Sequence, residues 1–299
     1  MDTETARTLC DITSSFYREN ASSFSSTRHA SWAGWSRCLD AMGLGSGSPL
    51  TASDGGLSEE AALESSHTEG GASVVGRPSR KPLRVLDVAC GNGRFLRFLQ
   101  EALPDVEVEY YAVDDCEQLV VEGLAGDGDG VAFQKLDVVN RLIEGSIEHA
   151  IEAPPADIAV CFGFFHHVPG SEARAALLRM LVDSVRPGGY VAVSLWQFAK
   201  SPELAAKAVE TTAKARAEYG LPALETGDYL LGWQNRPHAY RYCHTFSDEE
   251  VDRLVCTVGD RAQLVSRFEA DGRTGTLNSY LVFRRWVCSP FSPPLFRSQ

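Results

Sequence analysis

Short apolar, β-branched runs alternate with helical periods from residue 84 to residue 285, and this alternation limits the fold more than any other feature. Strands are expected over 84–90, 108–114, 131–137, 157–162 and 190–196. Helices are expected over 94–103, 117–124 and 171–185, the last stopped by Arg186-Pro-Gly-Gly189. Strand, crossover helix and strand in repetition imply a parallel sheet with helices on both faces. Two more strands, 263–269 and 278–285, follow a helix over 251–258 whose start is marked by Ser247-Asp-Glu-Glu250. The expected fold class is α/β.

The flanks read differently. Ile12, Phe16, Phe24, Trp32, Trp35 and Leu39 suggest two short helices within 11–42, joined by Ser25-Ser-Thr-Arg-His29. Residues 45–80 are rich in Gly, Ser, Thr and Ala and read as a flexible linker, with at most one or two helical turns at 57–63. A helix is expected over 202–219, followed by an irregular, aromatic stretch over 221–245. The end, 288–299, reads as a disordered tail. The division is therefore a helical lid segment 1–44, a linker 45–80, a main domain 81–287 with a lid insertion 200–246, and the tail. Both lid pieces are expected at the sheet's carboxyl edge, where they would exclude water from a site. Removing 1–44 is expected to leave a soluble, inactive core.

Bulk properties narrow the function. An apolar share of 44% supports a full core. The net charge of −12 lowers the prior for nucleic acid and argues against DNA. No apolar run approaches the roughly 20 residues of a membrane helix, and the first residues lack a leader's layout. The eight cysteines are scattered without a Cys-x-x-Cys pair, so no metal site is expected. Free thiols and the missing leader suggest a cytoplasmic protein.

One segment carries chemistry: Val85-Leu-Asp-Val-Ala-Cys-Gly-Asn-Gly-Arg94. Ligands of open α/β sheets bind beyond the carboxyl ends of the strands, where the first strand ends here. Gly91 and Gly93 allow close backbone approach, and the helix after them offers free N–H groups. A dinucleotide loop would carry Gly or Ala at the third fingerprint position, where Leu96 stands. Further carboxylates end the next two strands. Asp114 can accept hydrogen bonds from both hydroxyls of a ribose. Asp137 can accept from adenine's exocyclic amine, with the Val138 N–H on a ring nitrogen.

With Asp87 one turn ahead of the glycines, the segment resembles the S-adenosylmethionine (SAM) loop of class I methyltransferases. That resemblance implies a Rossmann-like, mostly parallel sheet of seven strands, with the last strand antiparallel. It implies SAM as cofactor, held by Asp87, Ala89, Gly91, Asn92, Gly93, Asp114, Asp115, Asp137, Val138, Cys161 and Phe162. Narrower motifs extend along the chain. They are Phe16-Tyr17, Phe24-Ser-Ser-Thr-Arg28, Phe162-Gly-Phe-Phe-His-His-Val168, Ser194-Leu-Trp196, Asp228-Tyr-Leu-Leu-Gly-Trp233 and Arg241-Tyr-Cys-His-Thr-Phe246. They resemble the eukaryotic tRNA wobble-uridine carboxymethyl methyltransferases of the Trm-nine/AlkB-homologue-eight type. The sequence departs from that pattern at Gly232, at Cys243 and in the long 45–80 segment. The resemblance implies a tRNA acceptor and a small activating protein partner.

Transfer from a sulfonium is an in-line displacement, so the enzyme mainly positions the nucleophile. A carboxylate nucleophile is already ionised at neutral pH and needs an orienting cation more than a base. Arg28 and Arg241 are the candidates, with Arg28 equally suited to SAM's own carboxylate. His166, Tyr242 and His244 complete the candidate catalytic set, as groups that orient or deprotonate the acceptor. Trp196 and Trp233 could stack a flat acceptor or serve as core. Three readings stay open: carboxyl methylation of a tRNA uridine, O- or N-methylation of a small molecule, and a non-catalytic SAM-binding subunit. A basic patch of Arg18, Arg28, Arg37, Lys207, Lys214, Arg236 and Arg241 beside the pocket would favour the first.

Overall fold

The computed structural model describes residues 1–45, 81–124, 130–234 and 236–287. The expected linker beyond Gly45, its helical turns at 57–63 and the tail over 288–299 lie outside them. In chain order the elements are α1 (Thr3–Ser25), α2 (Ala33–Ala41), β1 (Leu83–Val88), α3 (Arg94–Ala102), β2 (Val108–Asp114) and α4 (Glu117–Leu124). Next come β3 (Val131–Lys135), α5 (Val138–Ile143), β4 (Ala156–Cys161), α6 (Ser171–Ser184), β5 (Val185–Trp196) and α7 (Pro202–Tyr219). The chain continues through β6 (Asp228–Gly232), β7 (Tyr240–His244), α8 (Asp248–Cys256), β8 (Ala262–Ala270) and β9 (Asn278–Arg285).

Seven strands form one sheet in the order β3-β2-β1-β4-β5-β9-β8. The pairs β1–β2, β1–β4, β2–β3 and β4–β5 are parallel, while β9 runs antiparallel to both β5 and β8. This is the expected Rossmann-like methyltransferase sheet, with its last strand reversed. The chain builds outward from β1 to β3, then returns to place β4 on the other side of β1. The loops after β1 and β4 therefore part in opposite directions and leave a crevice.

Strand alternation divides the core. Leu86, Val88, Ala159 and Cys161 face one side, with α6 supplying Leu177, Leu178 and Leu181. Val85, Tyr110, Ile158 and Val160 face the other, against Phe95, Leu96, Phe98 and Leu99 of α3 and Trp35 of α2. Each large side chain so buried contributes roughly 1.5–3 kcal/mol. Trp35 is only 2% exposed and touches the rings of Phe95, Phe98 and Phe162. Residues 33–42 thus also belong to the main core, and a cut after residue 44 would strip one face of it as well as remove α1. Among the described residues no helix is long and apolar enough to cross a membrane.

Three local expectations are corrected. The first helix is one rod of 23 residues starting at Thr3, capped by Asp2, whose carboxylate accepts from the Thr5 N–H at 2.8 Å. Its buried face includes Thr13 and Asn20, polar residues that interrupt the apolar period. The third strand stops at Lys135, and Asp137 caps α5, accepting from the Asn140 N–H at 2.9 Å. The stretch 221–245 holds an antiparallel hairpin, β6–β7. Its buried Asp228, Arg241 and His244 hid the strand period, because polar residues stand at positions the strand buries.

The hairpin packs on α1. The Thr13 hydroxyl accepts from the Tyr242 N–H at 3.0 Å and donates to the Leu9 carbonyl at 2.9 Å. Around it lie Leu9, Ile12, Ala215, Leu230 and Tyr242. Thr13→Val keeps the shape but leaves a buried N–H unpaired. Urea unfolding should register a loss of about 1–3 kcal/mol, with α1 cleaved faster by protease. An unchanged midpoint would show that this bond does not hold α1 to the hairpin.

Candidate functional site

A cavity of about 1230 Å³ opens beyond the carboxyl ends of β1 to β4, roofed by α1 and the segment after it. Its floor is the loop after β1. Ala89, Gly91 and Gly93 all adopt positive φ, of 61°, 54° and 66°. At Ala89 this is a strained conformation, held by its N–H donating to the Val113 carbonyl at 2.7 Å. A Cβ on Gly91 would meet nothing within 4 Å, so the loop leaves open space there. The N-cap of α3 is Gly93, which has no side chain to cap the first turn, so the positive dipole end of the helix lacks that cap.

Two buried carboxylates flank the loop. Asp87 accepts a short hydrogen bond from the Tyr110 hydroxyl. Asp114 accepts from the Gly91 N–H at 2.9 Å and the Cys116 N–H at 2.8 Å. Burial pushes Asp87 up to about 7, against the pull of the Tyr110 bond. Burial pushes Asp114 up to about 6, against its two backbone donors. Asp115, Asp137, Val138 and Phe162 also line the cavity. The Asn92 amide faces the roof, donating to Ser25 Oγ and the Arg28 carbonyl, each at 3.1 Å. Of the expected cofactor residues, Gly93 and Cys161 do not line the cavity. Alternation along β4 sends Phe162 to the cavity and Cys161 into the core beside Ala159.

The other end of the cavity holds two arginines that make no ion pair among the described residues. The Arg28 guanidinium lies 3.5 Å from the centre of the Phe24 ring and 5.3 Å from that of Trp233. Arg241 is 7% exposed and lies 5.0 Å from Phe16 and 5.5 Å from Trp233. Its Nη1 finds no hydrogen-bond partner among the described residues. Burial, then the neighbouring arginines, brings Arg28 down to about 10, still charged at neutral pH. His166 lines the same end, buried, with Nδ1 unpartnered and its ring 5.1 Å from Trp196. Burial and the adjacent cations hold it neutral, well below the ordinary histidine range.

The remaining catalytic candidates lie elsewhere. Tyr242 and His244 alternate with Arg241 along β7, so the pleat turns them away from the cavity. Both hold Asp228, the tyrosine hydroxyl donating at 2.6 Å and His244 Nδ1 at 2.6 Å. His244 Nε2 reaches Glu250 at 3.0 Å. Their motif serves the architecture of the hairpin. Sequence reasoning missed Tyr17, whose hydroxyl lies 2.8 Å from His167 Nε2. Its signal was the spacing to Phe24, two helical turns on, which puts both rings on one face of α1. His166, His167 and Cys243 offer ligand atoms within 4.8 Å of one another. Both nitrogens of His167 are hydrogen-bonded, the Cys243 thiol is pushed up to about 12 by burial, and Arg241 adjoins them. That set suits no cation.

A model of a methyltransferase-domain family matches residues 70–259, more than half of the chain. The chain belongs to that family. It carries a methyltransferase domain. Its fold is similar to a SAM-dependent methyltransferase from Methanosarcina mazei, at 15% identity and a TM-score of 0.50, over 70% of this chain and 94% of that one. It is also similar to DhpI in a complex with SAM and HEP, at 17% identity and a TM-score of 0.51, over 92% of this chain and 97% of that one. No curated protein sequence matches. The narrower resemblance to tRNA methyltransferases is carried by motifs alone.

The buried acids make this methyltransferase sensitive to pH. Asp87 and Asp114 titrate higher in the folded chain, at about 7 and about 6, than at their ordinary value of 3.8. The folded state therefore binds more protons than the unfolded state across that window. Their contribution is fully present below pH 3.8 and is lost as pH rises through about 6 and about 7. Asp87→Asn removes the upper part of this slope. In ligand-free protein the variant should gain stability relative to wild type as pH rises from about 5 to about 8, read by denaturant midpoints. A difference that does not move with pH would discard this account.

Proposed function

We propose that this methyltransferase transfers the methyl of SAM to an oxygen of a small acceptor that carries an oxyanion, such as a carboxylate. The observation that carries the reading is the pair Arg28 and Arg241. Both lie in the cavity and are seated on aromatic faces, and neither makes an ion pair among the described residues. Aromatic faces hold a guanidinium while leaving its N–H edge free, and that edge matches a carboxylate bidentately.

The residues present fit SAM. The open loop at Gly91 and the uncapped start of α3 would hold its amino-acid end. Asp114 would take the ribose, and Asp137 with Val138 the adenine. Asp114 and Asp137 already accept internal bonds, but each carboxylate has further lone pairs. When bound, SAM supplies an electrophilic methyl group. Arg28 and Arg241 would orient the acceptor's oxyanion toward it, and the roof of α1 would keep water out. No base is required for an ionised acid. The neutral His166 and His167, held far from titration, agree with that. Two adjacent cations also disfavour an amine as acceptor.

The motif resemblance favours tRNA as a second reading, with a small protein partner. Against a continuous basic surface, Arg28 and Arg241 are inside the cavity. Arg37 stacks on Phe268 at 4.0 Å, and Lys214 pairs with Glu210 at 2.6 Å. Free thiols at all seven described cysteines fit a cytoplasmic setting. Radiolabelled SAM offered with total tRNA and with a small-molecule extract separates the two readings. Label is expected in the extract, in a base-labile product. Label confined to tRNA would overturn the small-acceptor reading. Once an acceptor is found, Arg241→Ala should cost roughly 2–5 kcal/mol of kcat/KM. Calorimetry should find S-adenosylhomocysteine (SAH) affinity within about threefold of wild type, since truncation removes an acceptor contact only.

A further inference from the structure

Tyr17 has so far been given no task. It lines the cavity from the middle of α1, and His167 is the hydrogen-bond partner of its hydroxyl among the described residues. The proton arrangement around it is forced. The Tyr242 carbonyl can only accept, so His167 Nδ1, 2.7 Å away, carries the ring's proton. Burial and Arg241 hold that ring neutral, with its titration down at about 3. His167 Nε2 therefore has no proton and must accept from Tyr17 at 2.8 Å. A phenol has one proton, and this one is spent on His167. What Tyr17 presents to the cavity is a lone-pair oxygen with nothing to donate.

Its position says which ligand group can use such an oxygen. The Tyr17 carbonyl lies 3.9 Å from Cys116 Sγ, just after β2, while its hydroxyl is fixed on His167, just after β4. The hydroxyl is under the influence of Asp114 from the donor half and of Arg241 and Arg28 from the acceptor half. Tyr17 thus spans the junction of the two halves. An anionic acceptor would be repelled by its lone pairs, whereas a cation would be attracted. Tyr17 is also no relay to a base. A proton taken from an acceptor would have to end on His167 Nε2, which holds one only near pH 3.

We propose that Tyr17 Oη is a cofactor-contact oxygen that receives the polarised methyl and sulfonium end of SAM, with His167 as the positioning residue that keeps it an acceptor. The assignment rests on the SAM site proposed above. Its consequence is selectivity: the oxygen favours SAM, which carries the positive charge, over SAH, which does not. Product is then held less tightly than donor.

Calorimetry on the full chain with SAM and with SAH, for wild type and Tyr17→Phe, tests this. The variant should bind SAM about two- to fivefold more weakly, the scale of a C–H···O contact, and bind SAH as wild type does. A second readout needs no variant. With methyl-13C SAM, the bound methyl protons of wild type should resonate downfield of the free cofactor, and in Tyr17→Phe they should move back. Equal weakening of both ligands would mean a merely structural role for Tyr17 and would overturn the assignment, as would a bound methyl resonance at the free position. Wild-type protein that binds neither ligand would instead overturn the SAM site beneath it.

Discussion

The structure depends on keeping two carboxylates in a dry floor. Asp87 and Asp114 end neighbouring strands, and a charge buried there without donors would be expelled or neutralised. The chain supplies the donors itself: the Tyr110 hydroxyl for Asp87, and the Gly91 and Cys116 N–H groups for Asp114. To deliver them, the loop after β1 must turn through three positive-φ residues, and Tyr110 must be fully buried between β1 and α3. Both acids still titrate above their ordinary range. The site is therefore held at the expense of stability at neutral pH, as expected where a ligand supplies the missing hydrogen bonds.

The arginine end of the cavity solves the opposite problem. Two guanidiniums are placed where, among the described residues, no acid pairs with them, and their desolvation is offset by aromatic rings. Phe16, Phe24 and Trp233 serve this end. Those rings come from α1 and from the segment after β6, so the arginine end takes this form only when α1 lies on the hairpin. The buried Asp228 and His244, with the half-buried Glu250, anchor the hairpin to α8. Two carboxylates on one imidazole favour its charged form. Although burial opposes it, their hydrogen bonds raise His244 above its ordinary value.

Much of the loop end of the cavity was legible in the sequence. The strand and helix alternation, the glycines at 91 and 93, and the acids at 87, 114 and 137 are local signals, because each depends on backbone period or on a turn. Even there the reading was imperfect. Asp137 was placed at a strand end and proved to be a helix cap, and Cys161 was assigned to a site that the pleat turns it away from. The arginine end was less legible. Arg241, Tyr242 and His244 look alike in sequence, yet alternation along a strand hidden by its polar residues sends one into the cavity and two away from it.

What the sequence determined by itself was the class of sheet, the glycine loop after β1 and the carboxylates beside it, since covalent neighbours and repeating periods set them. Tertiary structure decided which polar residues share a space. It made Trp35 part of the main core, brought Arg28 and Arg241 together across more than 200 residues of chain, and set Tyr17 against His167. Those pairings arise from packing between elements far apart in the chain, and no local period encodes them.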